Sequence, residues 1–123
     1  MPPDEADRAF LWDMLEAGRS IPTLVRGMSF EQFQADRRTY RAVERELEIL
    51  GEAARNVSAQ FRAAHDEVPW AGVIGQRNVL AHEYGRIRYD LLWQTVTQSV
   101  PGLIQWLERV LPPPPPDPEP DAL

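Results

Sequence analysis

The sequence predicts an all-α protein that folds as a bundle of four to five helices. Apolar residues recur at helical spacing along most of the chain, and no segment alternates apolar and polar residues as a half-buried strand would. Start and stop signals separate these periodic segments from one another. With 123 residues, of which 43% are apolar, the chain can form one domain with a modest core.

The first helix is predicted over residues 4–25. Gly18 and Pro22 lie inside this apolar pattern and are candidate points of division, because glycine weakens a helix and proline removes a hydrogen-bond donor. Gly27 is the expected end of the segment.

The next two helices are predicted from their start signals. Ser29 and Gln32 have the spacing of a capping box, which predicts a short helix over residues 30–35. A long helix over residues 36–57 is predicted to follow it. Its expected buried stripe consists of Tyr40, Val43, Leu47, Leu50 and Ala54. Its expected exposed side carries Glu44, Arg45 and Glu46.

The C-terminal half predicts two further helices. Pro69 favours a helix start, and Gly85 is the expected stop, because glycine adopts the left-handed conformation without penalty. This segment is expected to be largely buried through Ala71, Val73, Ile74, Val79 and Leu80. The last helix is predicted over residues 89–111, with a kink or a break at Pro101. Its expected inward residues are Leu92, Val96, Leu103, Leu107 and Val110.

The chain divides into a helical domain over residues 1–111 and a tail over residues 112–123. Seven of the 12 prolines lie in this tail, together with three acidic residues. A segment of this composition stays solvated and extended, so we expect the tail to be disordered.

The composition excludes several classes of function. Because there is no cysteine, disulfides, thiolate metal sites and a cysteine nucleophile are excluded. No apolar run approaches the roughly 20 residues of a membrane span, and the acidic N-terminus lacks signal-peptide features, so we expect a cytoplasmic protein without a membrane partner. The formal net charge of −6 disfavours a general nucleic-acid binder, so any RNA must bind a local patch. The candidates for that patch are Arg77, Arg86 and Arg88, with Arg37, Arg38 and Arg41 elsewhere.

The segment around Arg77 and His82 is the candidate catalytic site. A guanidinium stabilises phosphate charge, and an imidazole transfers a proton near neutral pH, so this pair suits metal-independent phosphodiester chemistry without a cofactor. Asn78 lies four residues before His82 and shares its helix face, whereas Arg77 is displaced from His82 by about 140° on an ideal helix. A second protomer that completes the site would resolve this geometry.

Local chemistry leaves a second, structural interpretation open. Arg77 can pair with Glu83 or with an acidic residue of the long helix, and His82 can cap the end of its own helix. The other histidine, His65, is expected to be an exposed loop residue rather than a metal ligand. Tyr84 is either an aromatic packed against the bundle or an exposed hydroxyl beside the active histidine, where a covalent modification would add bulk and charge.

The spacing Arg-x4-His-x-Tyr, at Arg77, His82 and Tyr84, resembles the signature of the HepT family of HEPN-domain toxins. The resemblance covers about residues 5–111 and leaves out the proline-rich tail. Five segments resemble the family's pattern in the same order along the chain, namely residues 13–17, 29–33, 48–54, 68–70 and 74–78.

This resemblance implies an antiparallel helical bundle that forms a homodimer. It also implies a metal-independent endoribonuclease toxin that cleaves RNA. Arg77 and His82 would be its catalytic residues. From their positions in the sequence, we expect Asn78 to support them and Arg86 and Arg88 to bind RNA. The resemblance also implies a minimal, MntA-like nucleotidyltransferase antitoxin that transfers AMP from ATP to Tyr84. The alternative is a noncatalytic binding or substrate subunit of a nucleotidyltransferase complex, in which the motif is only a docking surface and modification target.

Overall fold

The computed structural model describes residues 3–79 and 88–113, and for residues 76–79 it describes the backbone only. All regular structure in these residues is helical, which confirms the predicted all-α class. The elements are α1 (Glu5–Leu24), α2 (Phe30–Ala35), α3 (Arg37–Asn56), α4 (Ala59–Ala64), α5 (Trp70–Val79), α6 (Tyr89–Gln94), a π-helical turn (Thr95–Ser99) and α7 (Val100–Val110). The bundle is formed by α1, α3, α5 and the uninterrupted helical stretch from α6 to α7, while α2 and α4 are short connections.

Neighbouring long helices run antiparallel. Asp7, near the start of α1, contacts Ser58, just beyond α3, whereas Ile21, near the end of α1, packs in one cluster with Tyr40 at the start of α3. The contacts of α7 with α1 follow the same reversed order. The structure therefore confirms the predicted antiparallel bundle.

Helix α1 is continuous, so neither candidate point of division breaks it. Pro22 lies in the last turn, so the backbone hydrogen bond that it cannot donate is lost only near the end of the helix, and the neighbouring Ile21 is fully buried. A Cβ atom added to Gly18 would lie 3.4 Å from Ile104 and 3.7 Å from Leu50, so this glycine permits close packing of α1 against α7 and α3. Gly27 has a φ of 76°, which confirms the predicted stop.

The predicted capping box and long helix are both confirmed. Ser29 accepts a hydrogen bond from the Gln32 backbone at 3.2 Å, and the Gln32 side chain accepts one from the Ser29 backbone at 2.9 Å. The whole predicted stripe of α3 is buried. The expectation that Glu44 is exposed is wrong, because it borders this stripe beside Tyr40 and Leu47; its side chain is 15% exposed and pairs with Arg41 at 3.6 Å.

Helix α4 was not predicted, although its start signal is present in the sequence. Ser58 caps this helix by accepting a hydrogen bond from the Phe61 backbone at 3.1 Å. The buried carboxylate of Asp7 accepts hydrogen bonds from the Ser58 backbone at 2.7 Å and from its hydroxyl at 2.6 Å. These bonds fix the start of α1 to the end of α3.

Pro101 changes the helical hydrogen-bonding pattern without separating α6 from α7. The Val100 backbone donates to the carbonyl of Thr95, five residues earlier, within the π-helical turn that precedes the proline. A wider turn relieves the clash that a proline ring makes with the carbonyl four residues before it. The expected kink or break at Pro101 is thus replaced by a π-helical turn. Leu92, Val96 and Leu107 are buried as expected, and Leu103 and Val110 are half-buried.

The contact between α3 and α5 depends on Gly51. A Cβ atom at this position would lie 3.1 Å from the carbonyl oxygen of Val73, so we expect Gly51→Ala to lower the free energy of unfolding by about 1 kcal/mol. Gly72 of α5 is the matched control, because a Cβ atom there meets no described atom within 4 Å, and Gly72→Ala should raise this free energy by about 0.5 kcal/mol. Urea unfolding of both variants measures the difference. Equal effects at the two glycines would mean that the close approach has no energetic consequence.

No helix in the described part of the chain is long and apolar enough to cross a membrane. Leu111, which follows α7, is buried. The predicted tail falls almost entirely on residues 114–123, which lie outside the described residues.

Candidate ribonuclease site

Helix α5 carries the first part of the predicted catalytic segment. The Trp70 indole donates to the carbonyl of His65 at 2.9 Å and fixes the start of this helix. Trp70 and Val73 are buried, whereas Ala71, which was predicted to be inside, is exposed. The backbones of Arg77 and Asn78 lie in the last described turn of the helix.

The remaining motif residues lie outside the described residues. These are His82, Tyr84, the predicted helix stop Gly85 and Arg86. The distance between the Arg77 guanidinium and the His82 imidazole therefore stays a prediction, as do the roles assigned to these side chains.

Arg88 is described, and it forms an ion pair. Its Nε and one terminal nitrogen donate to the two carboxylate oxygens of Asp90 at 3.2 and 3.1 Å. The hydrogen bonds from Arg88 lower the pKa of the Asp90 carboxyl below its ordinary value. An RNA phosphate at Arg88 would have to share the guanidinium with Asp90. This ion pair was not predicted from the sequence, although Asp90 lies only two positions after Arg88.

A pair of tyrosines fixes the start of α6 against α3. The ring centroids of Tyr40 and Tyr89 are 5.1 Å apart in an edge-to-face arrangement, and the Arg41 guanidinium carbon lies 5.7 Å from the Tyr40 ring. The hydrogen bond to Tyr40 raises the pKa of the Tyr89 phenol, and burial adds to this effect. Tyr40 was predicted only as a core residue, so its contact with the start of α6 was missed.

The next turn of α6 is fixed by a second aromatic contact. The Trp93 ring centroid lies 5.2 Å from that of Phe33 and 6.3 Å from that of Phe30, both in α2. Helix α5 packs closely on α3 at Gly51, and α6 contacts α3 through the tyrosine pair. Both helices that flank residues 80–87 are therefore fixed to the same long helix.

His65 is not the exposed loop residue that the sequence predicts. It ends α4, its side chain is 17% exposed, and its ring lies 4.3 Å from Phe61 and 5.8 Å from Trp106 between centroids. Its Nδ1 lies 3.4 Å from Glu67, which accepts a 2.9 Å hydrogen bond from the Trp106 indole. A hydrogen bond from its own backbone, followed by the one from Trp106, lowers the pKa of the Glu67 carboxyl. His65 therefore packs among aromatic rings and has a structural role.

Neither the sequence nor the described residues point to a metal site. No group of three or more histidine, aspartate or glutamate side chains in residues 3–79 and 88–113 is arranged to hold a metal ion. The described residues do form an apolar groove of about 580 Å³ beside α5. It lies between α3, α5, the π-helical turn and α7, and its floor includes Leu50, Val73 and Leu103.

The fold and the motif define a small all-helical protein of the HEPN type. The family model described as ribonuclease HepT-like matches residues 14–110, and the chain belongs to this family. This membership confirms the predicted enzyme class, an endoribonuclease, for which RNA is the substrate.

Curated relatives support the same assignment. The chain is 37% identical over 109 residues to a protein of Methanocaldococcus jannaschii that bears the name Putative RNase, covering 89% of this chain and 90% of the relative. It is 36% identical over 104 residues to a protein of Caldanaerobacter subterraneus with the same name, covering 85% and 93%. It is also 38% identical over 94 residues to the Probable ribonuclease HepT of Thermococcus cleftensis, covering 76% and 86%. No solved structure matches the chain.

Proposed function

We propose that this ribonuclease is the toxin of a toxin–antitoxin pair and that it cleaves RNA without a metal ion or cofactor. The supporting observation is the family match over residues 14–110, within which Arg77, His82 and Tyr84 have the motif spacing. We expect the protein to act in the cytoplasm. The activity would belong to the helical domain over residues 1–111, and the tail over residues 112–123 would take no part in catalysis.

The proposed reaction is an internal transesterification. The RNA 2′-oxygen attacks the adjacent phosphorus, the new bond closes a 2′,3′-cyclic phosphate, and the bond from phosphorus to the 5′-oxygen breaks. His82 removes the proton from the 2′-hydroxyl while water protonates the leaving 5′-oxygen, or it donates a proton to that oxygen while water accepts the one from the 2′-hydroxyl. Arg77 stabilises the added negative charge on the phosphorane oxygens. Asn78 orients the imidazole or holds a phosphate oxygen.

We propose that two copies of the chain share this site. Arg77 and His82 point about 140° apart on a straight helix, so one helix alone does not direct both side chains at one phosphate. A twofold axis beside the motif would bring Arg77 of one protomer to His82 of its partner. The apolar groove beside α5 offers the partner a surface on which to pack.

The substrate would bind through a local cationic surface at the motif. Arg86 and Arg88 are proposed to hold phosphates, with Arg88 exchanging part of its interaction with Asp90 for a phosphate oxygen. The formal net charge of −6 makes this local patch necessary, because long-range attraction of RNA is absent.

The proposed antitoxin is a minimal, MntA-like nucleotidyltransferase that transfers AMP to Tyr84. The added phosphodiester would place bulk and negative charge where RNA must bind. The competing function is a noncatalytic subunit of a nucleotidyltransferase complex. Membership of a ribonuclease family favours the catalytic role.

Cleavage of RNA by the purified protein in excess chelator tests the proposed chemistry. We expect single-stranded RNA to be cut with 2′,3′-cyclic phosphate ends, because the 2′-oxygen is the nucleophile. DNA of the same sequence should remain intact, since it lacks this oxygen. Activity that appears only when a divalent cation is restored would contradict the proposed metal independence. No cleavage under either condition would favour the noncatalytic role.

A further inference from the structure

The first turn of α3 carries two arginines that have no carboxylate partner among the described residues. Arg37 and Arg38 are exposed, and neither forms an ion pair within residues 3–79 and 88–113. The other arginines of this helix differ. Arg41, Arg45 and Arg55 pair with glutamates at 3.6, 3.1 and 2.9 Å.

These two arginines line an open groove of about 720 Å³. Gly27 and Met28, from the turn after α1, form its other wall, and the exposed Arg26 directly precedes them. Among the described residues that line this groove, Asp36 supplies the one carboxylate, which accepts a backbone hydrogen bond at the start of α3 at 3.1 Å. The groove is therefore locally cationic on a protein whose net charge is −6.

The groove lies at the same end of the bundle as Arg88 and Tyr89, the residues that directly follow the motif segment. Tyr40, one helical turn beyond Arg37, contacts Tyr89 at 5.1 Å between ring centroids. Tyr89 follows Arg88 directly, so the tyrosine pair brings the start of α3 beside the point where the chain leaves the motif segment.

We propose that Arg37 and Arg38 form a second phosphate-binding subsite, which holds the RNA backbone at nucleotides that flank the scissile linkage. This inference rests on the proposed cleavage of RNA. A guanidinium binds phosphate oxygens through two parallel hydrogen bonds. Arg37 and Arg38 can do so without giving up a carboxylate, whereas Arg41, Arg45 and Arg55 must first lose an ion pair.

The salt dependence of RNA binding tests this subsite. Arg37→Gln/Arg38→Gln is prepared in a His82→Ala background, so that a labelled single-stranded RNA stays intact during the titration. Two lost phosphate contacts should reduce the slope of log affinity against log salt by about 1.4. Raising the salt from about 50 to 200 mM should then weaken binding by the parent roughly sevenfold more than binding by the double variant.

Arg45→Gln/Arg55→Gln is the matched control, because it removes the same charge from the same helix at arginines that are paired with glutamates. It should keep the parental slope. An Arg37→Gln/Arg38→Gln slope equal to this control overturns the subsite, even where the wild-type enzyme cleaves RNA normally. If the double variant instead loses binding to the nucleotidyltransferase alone, the groove is a protein-docking surface and the inference is wrong. A wild-type protein that neither cleaves nor binds RNA overturns the proposed function itself.

Discussion

Replacing His82 by alanine is expected to reduce RNA cleavage by a factor of about 10²–10⁴, the usual contribution of a general acid or base. The imidazole carries the proton in the proposed reaction, and no other side chain of the motif titrates near neutral pH. Helicity and self-association should not change, because the substitution removes only the group that transfers the proton. Cleavage of a labelled RNA under single-turnover conditions measures the rate of the chemical step directly.

The second histidine provides the control for this prediction. His65 lies between the rings of Phe61 and Trp106, so His65→Ala should lower the midpoint of thermal unfolding. Its cleavage rate should nevertheless stay near that of the wild type at temperatures where the variant is folded. A His82→Ala protein that cleaves RNA at the wild-type rate would remove His82 from the mechanism.

Mixing two inactive variants determines whether the site is shared between protomers. Arg77→Ala is expected to lower the cleavage rate by roughly 10²–10³, because it removes charge stabilisation in the transition state. If Arg77 and His82 of one site come from different chains, a mixed dimer of Arg77→Ala and His82→Ala contains one intact site. Random exchange of subunits should then restore about a quarter of the wild-type activity. No recovery in dimers shown to have exchanged would place both residues of a site on one chain.

The order and type of the helices follow from local patterns in the sequence. The stripe from Tyr40 to Ala54 and the capping box at Ser29 depend on residues within a few turns of one another, and both were predicted correctly. Pro22 does not divide the first helix, as the sequence had suggested, because the effect of a proline depends on how far it lies from the end of the helix. Helix α4 was missed because its short pattern is stabilised by Asp7, which lies 51 residues earlier than Ser58.

The surroundings of the site depend on contacts that are remote in sequence. The pairing of Tyr40 with Tyr89 and the contact of His65 with Trp106 join residues from different helices. Helical periodicity reports which face of a helix is buried, but not which neighbouring helix covers it. Residue type and spacing, together with the surrounding family resemblance, predict the chemistry of the motif, and both its geometry and the roles of its side chains stay predictions.

A complete loss of activity is expected when Tyr84 is modified. Incubation with the nucleotidyltransferase and ATP should add the mass of one AMP to the protein and abolish RNA cleavage, whereas Tyr84→Phe should stay unmodified and active. In this reaction the tyrosine oxygen attacks the α-phosphorus of ATP, a phosphodiester bond forms, pyrophosphate leaves and the phenolic proton passes to a base. Intact mass, peptide mapping and RNA cleavage measured on the same samples test each step.

The described residues give a physical reason to expect that neither of the other two tyrosines of the chain accepts AMP. Tyr40 is 8% exposed, and Tyr89 is hydrogen-bonded to it, which raises the pKa of the Tyr89 phenol and reduces the fraction of the nucleophilic phenolate. Tyr89→Phe is thus the matched control, since it should still accept AMP and still lose activity. A gain of AMP by the Tyr84→Phe protein, or mapping of the AMP to another residue, would overturn the regulatory proposal. The predicted roles of Arg77 and His82 in cleavage would not depend on that result.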